Sequence, residues 1–392
     1  MYPSSALRRL LPVALAALTL GLTACQTAPP PVAVTYHRDA AAAVEFLSKA
    51  LVQQLAGVAR PTQSTVPVEE FFSVQSAEVS TTGRALQQDL ATSLTTSFAP
   101  VKFVPLDVPS ANGAQWVLLA NYGTPRASDN LAPGKWVRLQ VAMLESASGK
   151  VLTRVTTYLD ATQFNSEPTP FYKDAPMFMT DARHRGRIGA MDGGGKSLEV
   201  ELKVQSELTS AIAAYEAGRY AEAELGFAKV RAIATNNPGA LSGLYQTYWK
   251  LNRKDEAEKA FGDLVGSSLD SGALAVKLLF KVGATSFVEN ADLNSQYRVW
   301  LKSVGQVITE KNRCLDVTGH ASKSGAAEYN DRLSLQRAES IVTLISQTSA
   351  DTRTRFKSAG RGFQDTIVGT GANDATDAID RRVEFKVREC AK

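Results

Sequence analysis

The chain repeats itself at a fixed interval. Ala223 and Ala257 lie 34 residues apart, and Phe227 with Phe261, Tyr215 with Trp249 and Glu224 with Glu258 keep the same spacing. A period of this length belongs to stacked helix pairs, because one pair cannot bury its apolar face alone. The small alanines let helices approach and the aromatic residues fill the space between them. Gly218 to Ala223 and Asn252 to Ala257 read as the turns inside each pair. Two such units are fewer than usually stand alone, so a flanking domain is expected to cover them.

This pattern resembles two tetratricopeptide repeats over residues 201–272, which implies protein partners without naming one.

A second informative stretch lies downstream. Leu315, Val317 and Gly319 alternate with Asp316 and Thr318, the period of a half-buried strand. Leu335, Ala338, Val342 and Ile345 then recur at helical spacing, while Asn330, Ser334 and Arg337 fall on another, polar stripe. The order is strand, loop, helix, with Arg337 free to face the loop while Leu335 faces the core.

The residues Thr318-Gly319-His320, Gly325, Tyr329-Asn330, Arg332-Leu333-Ser334, Arg337-Ala338, Gly360, Gly362 and Asp380-Arg381-Arg382-Val383-Glu384 resemble the OmpA C-terminal domain, across residues 275–392. The resemblance implies a βαβαββ fold and non-covalent association with peptidoglycan. That family grips the diaminopimelate of the stem peptide with an Asp two residues after the His and an Arg on the helix. Arg337 matches the Arg, whereas Ser322 occupies the Asp position. The implied pocket comprises Gly319, His320, Ala321, Ser322, Asn330, Leu333 and Arg337, supported by Arg382 from the last strand. An Arg fork takes a carboxylate in a bidentate pair, and the missing Asp would have taken the ammonium. A hydrogen bond to a charged partner contributes roughly 1.5–3 kcal/mol, so Ser322 implies affinity lower by about one to two orders of magnitude unless compensated. The alternative is a domain that keeps the fold for docking and has lost peptidoglycan binding.

The beginning of the chain supplies an address. Arg8 and Arg9 precede an apolar run from Leu10 to Leu22 that is too short to span a bilayer, so residues 1–24 read as a signal peptide. Leu22-Thr23-Ala24-Cys25 resembles the lipobox of bacterial lipoproteins, which makes Cys25 the lipidated residue of the mature protein. Gln26 rather than Asp after the Cys implies the outer membrane, facing the periplasm. Residues 25–38 then read as an extended tether. Loss of residues 1–24 lowers the formal charge from +4 to +2, which argues against nucleic acid as a partner.

With Cys25 assigned to lipid, Cys314 and Cys390 remain. Alternation places both on a polar side of the sheet. If their strands are antiparallel neighbours, a disulfide is feasible in an oxidising compartment.

Residues 39–160 carry the order helix, strand, helix and then four strands. The helices are expected from Asp39 to Gln54 and, capped by Thr82, from Gly83 to Phe98. Strands are expected at Val66–Val74, Val101–Leu106, Gln115–Tyr122, Lys135–Leu144 and Val151–Leu159. In the fourth of these, Val137, Leu139, Val141 and Met143 alternate with Trp136, Arg138 and Gln140. The pattern, with a Ser-Gly-Lys hairpin at Ser148, resembles the α/β domain of curli-secretion and flagellar outer-membrane lipoproteins; an unrelated small α/β domain accommodates it equally. Residues 161–200 are rich in Pro and Gly with little periodicity, and read as linker or long surface loop. Gly193-Gly194-Gly195-Lys196-Ser197 ends like a phosphate-binding loop but has Ala190 where that motif needs Gly.

The three histidines, His37, His184 and His320, form no catalytic or metal-ligating constellation. The chain therefore reads as a non-enzymatic α+β multidomain lipoprotein of the cell envelope with no cofactor. It would hold peptidoglycan at its C-terminal end and unidentified envelope proteins through the rest, or serve as an assembly scaffold if the pocket is lost.

Overall fold

In the computed structural model, residues 35–131, 134–272, 274–348, 350–367, 369, 371, 377 and 380–390 are described. Cys25 and most of the expected tether lie outside them.

The N-terminal part is built on a sheet of seven strands among the described residues, ordered β1-β7-β6-β5-β2-β4 with β3 beside β5. These are β1 (Tyr36–His37), β2 (Thr65–Val68), β3 (Phe72–Ser73), β4 (Lys102–Pro105), β5 (Trp116–Gly123), β6 (Trp136–Glu145) and β7 (Val151–Asp160). Tyr36 and His37, expected in the tether, pair in parallel with Tyr158 and Leu159, so the sheet takes up the last residues of that segment. Helices α1 (Ala40–Gln54) and α2 (Thr81–Ser97) cover one face, where Leu47, Leu51, Leu86, Leu90 and Leu94 meet Leu118, Leu139, Val141 and Met143. Asp39 caps α1 through Ala42 N, and Ser80, not the expected Thr82, caps α2 through Gly83 N. The hydroxyl of Thr82 instead accepts from Asn165 N.

The opposite sheet face is where the structure departs most from the sequence reading. Residues 161–200 are not a solvated linker: they hold α4 (Pro170–Asp174) and α5 (Ala182–Gly193), after the short α3 (Val108–Ala111). Phe171, Tyr172, Met177 and Met191 are buried against Val117, Leu119, Ala142 and Leu144. The supposedly polar face of β6 is consequently enclosed, with Gln140 Nε2 donating to Asp192 at 3.2 Å and Arg138 Nη1 donating to Gln140 at 2.8 Å. The run Asp181 to Arg187, rich in basic residues, turns partly inward, although Arg185 stays exposed. His184 Nε2 lies 3.0 Å from Val74 O, and Arg187 is half-buried between the Phe72 ring and Glu69. Periodicity failed here because the segment is gripped from two sides, sheet and repeats, so its buried residues follow no single stripe. The Gly-rich stretch crosses the β6–β7 turn, where a Cβ on Gly149 would strike Lys196.

Two antiparallel helix pairs follow: α6 (Glu199–Glu216), α7 (Tyr220–Ile233), α8 (Pro238–Lys250) and α9 (Lys254–Ser271). Ala223, Ala257, Phe227 and Phe261 are all fully buried at equivalent places. The pairs share one apolar core with α4 and α5 on one side and α10 (Ala291–Glu310) on the other. No helix among the described residues is long and apolar enough to cross a membrane.

The C-terminal part places α10 and α11 (Ala327–Thr348) against a sheet of β8 (Cys314–Gly319), β9 (Phe356–Gly360) and β10 (Val383–Arg388) in the order β10-β8-β9. Ahead of α10, where the expected βαβαββ order has its first strand, the described residues form a single isolated antiparallel bridge between Phe280 and Phe287. Together the parts make an α+β chain.

Candidate functional site

The site begins with two glycines in register. Gly319 ends β8, Gly360 ends β9, and the two strands pair in parallel at these residues. A Cβ on Gly319 would collide with Ser334 O, and one on Gly360 would come within 2.6 Å of Asp331 O and Leu335 N. Their absence of side chains lets the backbone of α11 rest directly on the strand ends. Ser334 Oγ then accepts from Gly362 N at 2.9 Å and donates to Asp331 O at 2.9 Å.

Helix α11 is rotated relative to the sequence expectation. Leu333, Ala338, Ile341 and Ile345 are buried, whereas Leu335 and Val342 are only half-buried. Asn330, Ser334 and Arg337, expected on a polar stripe, are buried too. They face the strand ends and the loop after β8, which supply hydrogen bonds in place of water.

The loop itself is held from three directions. His320 N donates to Arg382 O at 2.9 Å, and Ala321 N to Gly362 O at 2.7 Å. Asn330 Nδ2 donates to Ser324 O at 2.7 Å and Ala326 O at 3.0 Å, tying the loop to the start of α11. Ser322 Oγ lies 3.5 Å from Ser324 Oγ. Thus Gly319, His320, Ala321, Ser322, Asn330, Arg337 and Arg382 come together, and these and Leu333 are all buried.

Arg337 is the centre of the cluster. Its Nη1 donates to His320 O at 3.1 Å, Nε to Ala284 O at 3.0 Å and Nη2 to Lys281 O at 3.1 Å. The guanidinium carbon lies 5.1 Å from the centroid of the Phe280 ring. It is fully buried, so it does not stand open to the loop as the sequence suggested. No carboxylate among the described residues forms an ion pair with it. Burial, reinforced by Arg381, lowers its pKa to about 10. A buried cation with only neutral acceptors is a costly arrangement that an anion would relieve.

A second polar group flanks the loop. Arg382 Nε donates to Glu384 at 2.7 Å and Nη2 to Asp365 O at 3.0 Å, while His320 Nε2 lies 3.6 Å from the other Glu384 oxygen. Burial works against the Glu384 charge, but His320 and Arg382 outweigh it and hold the carboxyl down to about 2. Arg382, just ahead of β10, therefore braces the loop without a hydrogen bond to Arg337.

Sequence reasoning missed Phe280, Lys281 and Ala284. A signal was present: the apolar runs Leu278-Leu279-Phe280 and Phe287-Val288 flank a turn containing Gly283, which marks a hairpin. Cys314 and Cys390 form a disulfide with Cα atoms 5.1 Å apart, and β8 and β10 are antiparallel neighbours. Cys314 is buried rather than on the polar side of the sheet, and Cys390 is exposed. No cluster of three His, Cys, Asp or Glu is placed to hold a metal among the described residues.

With this geometry in place, the chain can be set beside known proteins. Residues 288–379 match the OmpA family and residues 214–279 the tetratricopeptide repeat. Among solved structures it is similar to the peptidoglycan-associated lipoprotein from Burkholderia pseudomallei, at 22% identity over 28% of this chain and 88% of that one, with a TM-score of 0.24. The cell wall anchor of the T6SS from Pseudomonas aeruginosa is similar at 28% identity over 28% of this chain and 73% of that one, with a TM-score of 0.23. The C-terminal domain of Helicobacter pylori MotB is similar at 14% identity over 29% and 84%, with a TM-score of 0.24. A comparison with curated proteins finds no match. The chain thus carries an OmpA-family domain at its C-terminal end, preceded by tetratricopeptide repeats.

Proposed function

We propose that this chain is an outer-membrane lipoprotein, anchored through Cys25 and facing the periplasm, whose OmpA-family domain associates non-covalently with peptidoglycan. The bound group is the diaminopimelate of the stem peptide, with Arg337 taking a carboxylate and Ser322, Asn330 and the backbone of Gly319 to Ala321 lining the pocket. Leu333 closes its apolar side, and Arg382 steadies the loop. The repeats and the N-terminal domain engage envelope proteins. Both matched families are binding and interaction modules, which supports a role without catalysis.

The observation that carries this reading is the Arg337 guanidinium, buried on the strand–loop–helix frame with no counter-carboxylate among the described residues. A carboxylate ligand would supply the missing charge.

The test is co-sedimentation of the mature, non-lipidated protein with purified sacculi. Arg337→Lys keeps the cation but loses the planar fork, so it is expected to abolish pelleting while a thermal melt shows the fold intact. Arg337→Ala should do the same at some loss of stability. Pelleting of Arg337→Lys at the wild-type level would remove the assigned site.

A second reading, an assembly scaffold whose pocket has lost its ligand, is favoured by Ser322 at the position of the family Asp. If only Ser322→Asp pellets, that reading replaces the first.

A further inference from the structure

The two nitrogens on one edge of an arginine, Nε and Nη2, are spaced to take both oxygens of a carboxylate. In Arg337 this edge is filled by two carbonyl oxygens from a single tight turn, Ala284 O at 3.0 Å and Lys281 O at 3.1 Å. The turn is the tip of the hairpin ahead of α10. Its base is fixed: Val288 N donates to Leu279 O, Phe280 is buried, and Phe287 packs on Tyr297 with ring centroids 4.6 Å apart. Beyond the base the tip is held by few contacts, among them an exposed ion pair from Lys281 to Glu289. Lys281 N donates to Ser286 O at 2.9 Å and Ala284 N to Lys281 O at 3.2 Å, and Gly283 supplies the positive φ of 66° that the turn requires. None of residues 281–286 is buried, and Val282 is 56% exposed. One side chain of α11 secures the tip from outside, through the Tyr329 hydroxyl donating to Gly283 O at 3.2 Å.

We infer that the hairpin tip Lys281–Ala284 is an exchangeable internal stand-in for a ligand carboxylate, closing the Arg337 edge when the pocket is empty and swinging out when a carboxylate takes its place. The tip copies the geometry of a carboxylate but not its charge. Exchange replaces two neutral acceptors with charged ones at a buried cation, where charge-assisted bonds are stronger. It exposes little apolar surface, because the tip carries only Val282, Gly283 and Ala284 between its polar ends. The tip carbonyls it releases turn to water, and Phe280 stays beneath the guanidinium. This inference rests on the reading of the domain as a carboxylate-binding module.

The experiment uses the mature, non-lipidated chain with the tripeptide L-Ala-D-Glu-meso-diaminopimelate as probe. Binding is read by calorimetry and tip mobility by hydrogen exchange of the Lys281 and Ala284 amides. Tripeptide binding is expected to speed exchange at both amides. Tyr329→Phe, which removes the bond to Gly283 O, is expected to tighten binding by about two- to tenfold, the yield of one neutral hydrogen bond. Tripeptide binding with unchanged exchange at the tip and unchanged affinity in Tyr329→Phe would overturn the stand-in and leave the carboxylate site standing. Failure of wild type and Tyr329→Phe alike to bind either tripeptide or sacculi would remove the binding reading itself, and the inference with it.

Discussion

Trp300 stacks on Phe261 with ring centroids 5.8 Å apart and an interplanar angle of 22°. Its indole nitrogen also donates to the Tyr245 hydroxyl at 2.6 Å. Trp300 belongs to the first helix of the OmpA-family part, while Phe261 and Tyr245 belong to the second repeat. The pair of repeats is thus completed by a helix that is not a repeat, which supplies the apolar cover two units lack.

Trp300→Ala should therefore act on both parts at once. Removing a fully buried indole is expected to lower stability by about 3–5 kcal/mol, and the Tyr245 hydroxyl loses a donor as well. Urea unfolding followed by tryptophan fluorescence and far-ultraviolet circular dichroism should show one shifted transition. Two separated transitions, with only one shifted, would mean the parts are independently stable.

Arg187 reaches Glu69 at 2.6 Å in a buried ion pair that ties α5 to the N-terminal sheet. Arg187→Ala leaves an uncompensated buried carboxylate and is expected to cost about 3–5 kcal/mol. Burial raises the Glu69 pKa, and Arg187 opposes that rise. Without Arg187 the folded-state pKa climbs further above the unfolded value of 4.5, so falling pH lets the folded variant take up a proton that the unfolded chain does not. The deficit of the variant should shrink as pH falls from neutrality toward the unfolded value. Melting curves of both proteins across that range test it.

Glu384 gives the opposite sign. Its folded-state pKa of about 2 lies below the unfolded value of 4.5. The charge contributes stability above the unfolded value, and that contribution is lost as pH falls from there through the folded value. Glu384→Gln should be less stable than wild type near neutrality, and the gap should narrow by about pH 3. A gap in melting temperature that is constant with pH would show that the carboxylate charge contributes nothing to the brace on the His320 loop.

The disulfide closes 76 residues of chain. Chain entropy alone assigns it about 4–5 kcal/mol, acting chiefly on the unfolded state. Cys390→Ser is expected to lower the guanidinium midpoint accordingly while sacculus co-sedimentation at low temperature is unchanged. Equal midpoints for the variant and the oxidised protein would show that the bond adds no stability.

Much of the fold was legible where a single face is buried. The 34-residue spacing of Ala223 with Ala257 and Phe227 with Phe261 became two helix pairs, because each residue packs on the next helix along the chain. Single residues marked the ends of elements less well: the cap of α2 is Ser80 rather than Thr82, since the Thr82 hydroxyl is engaged by Asn165 N from the segment after β7. The placement of the candidate residues was legible in part. Gly319 to Ser322, Asn330, Arg337 and Arg382 lie together, but the rotation of α11 that buries Ser334 and Arg337 follows from two glycines on different strands.

The sequence by itself determined what local order can record: the repeat period, the strand–loop–helix around His320 and the alternation of β6. Tertiary structure alone decided that residues 161–200 pack Phe171, Tyr172, Met177 and Met191 against the sheet, and that the Arg337 edge is held by a turn 53 residues earlier in the chain. The reason is physical. A residue buried by its neighbours in one element repeats with that element, whereas one buried by a distant segment obeys the geometry of both and leaves no period to read.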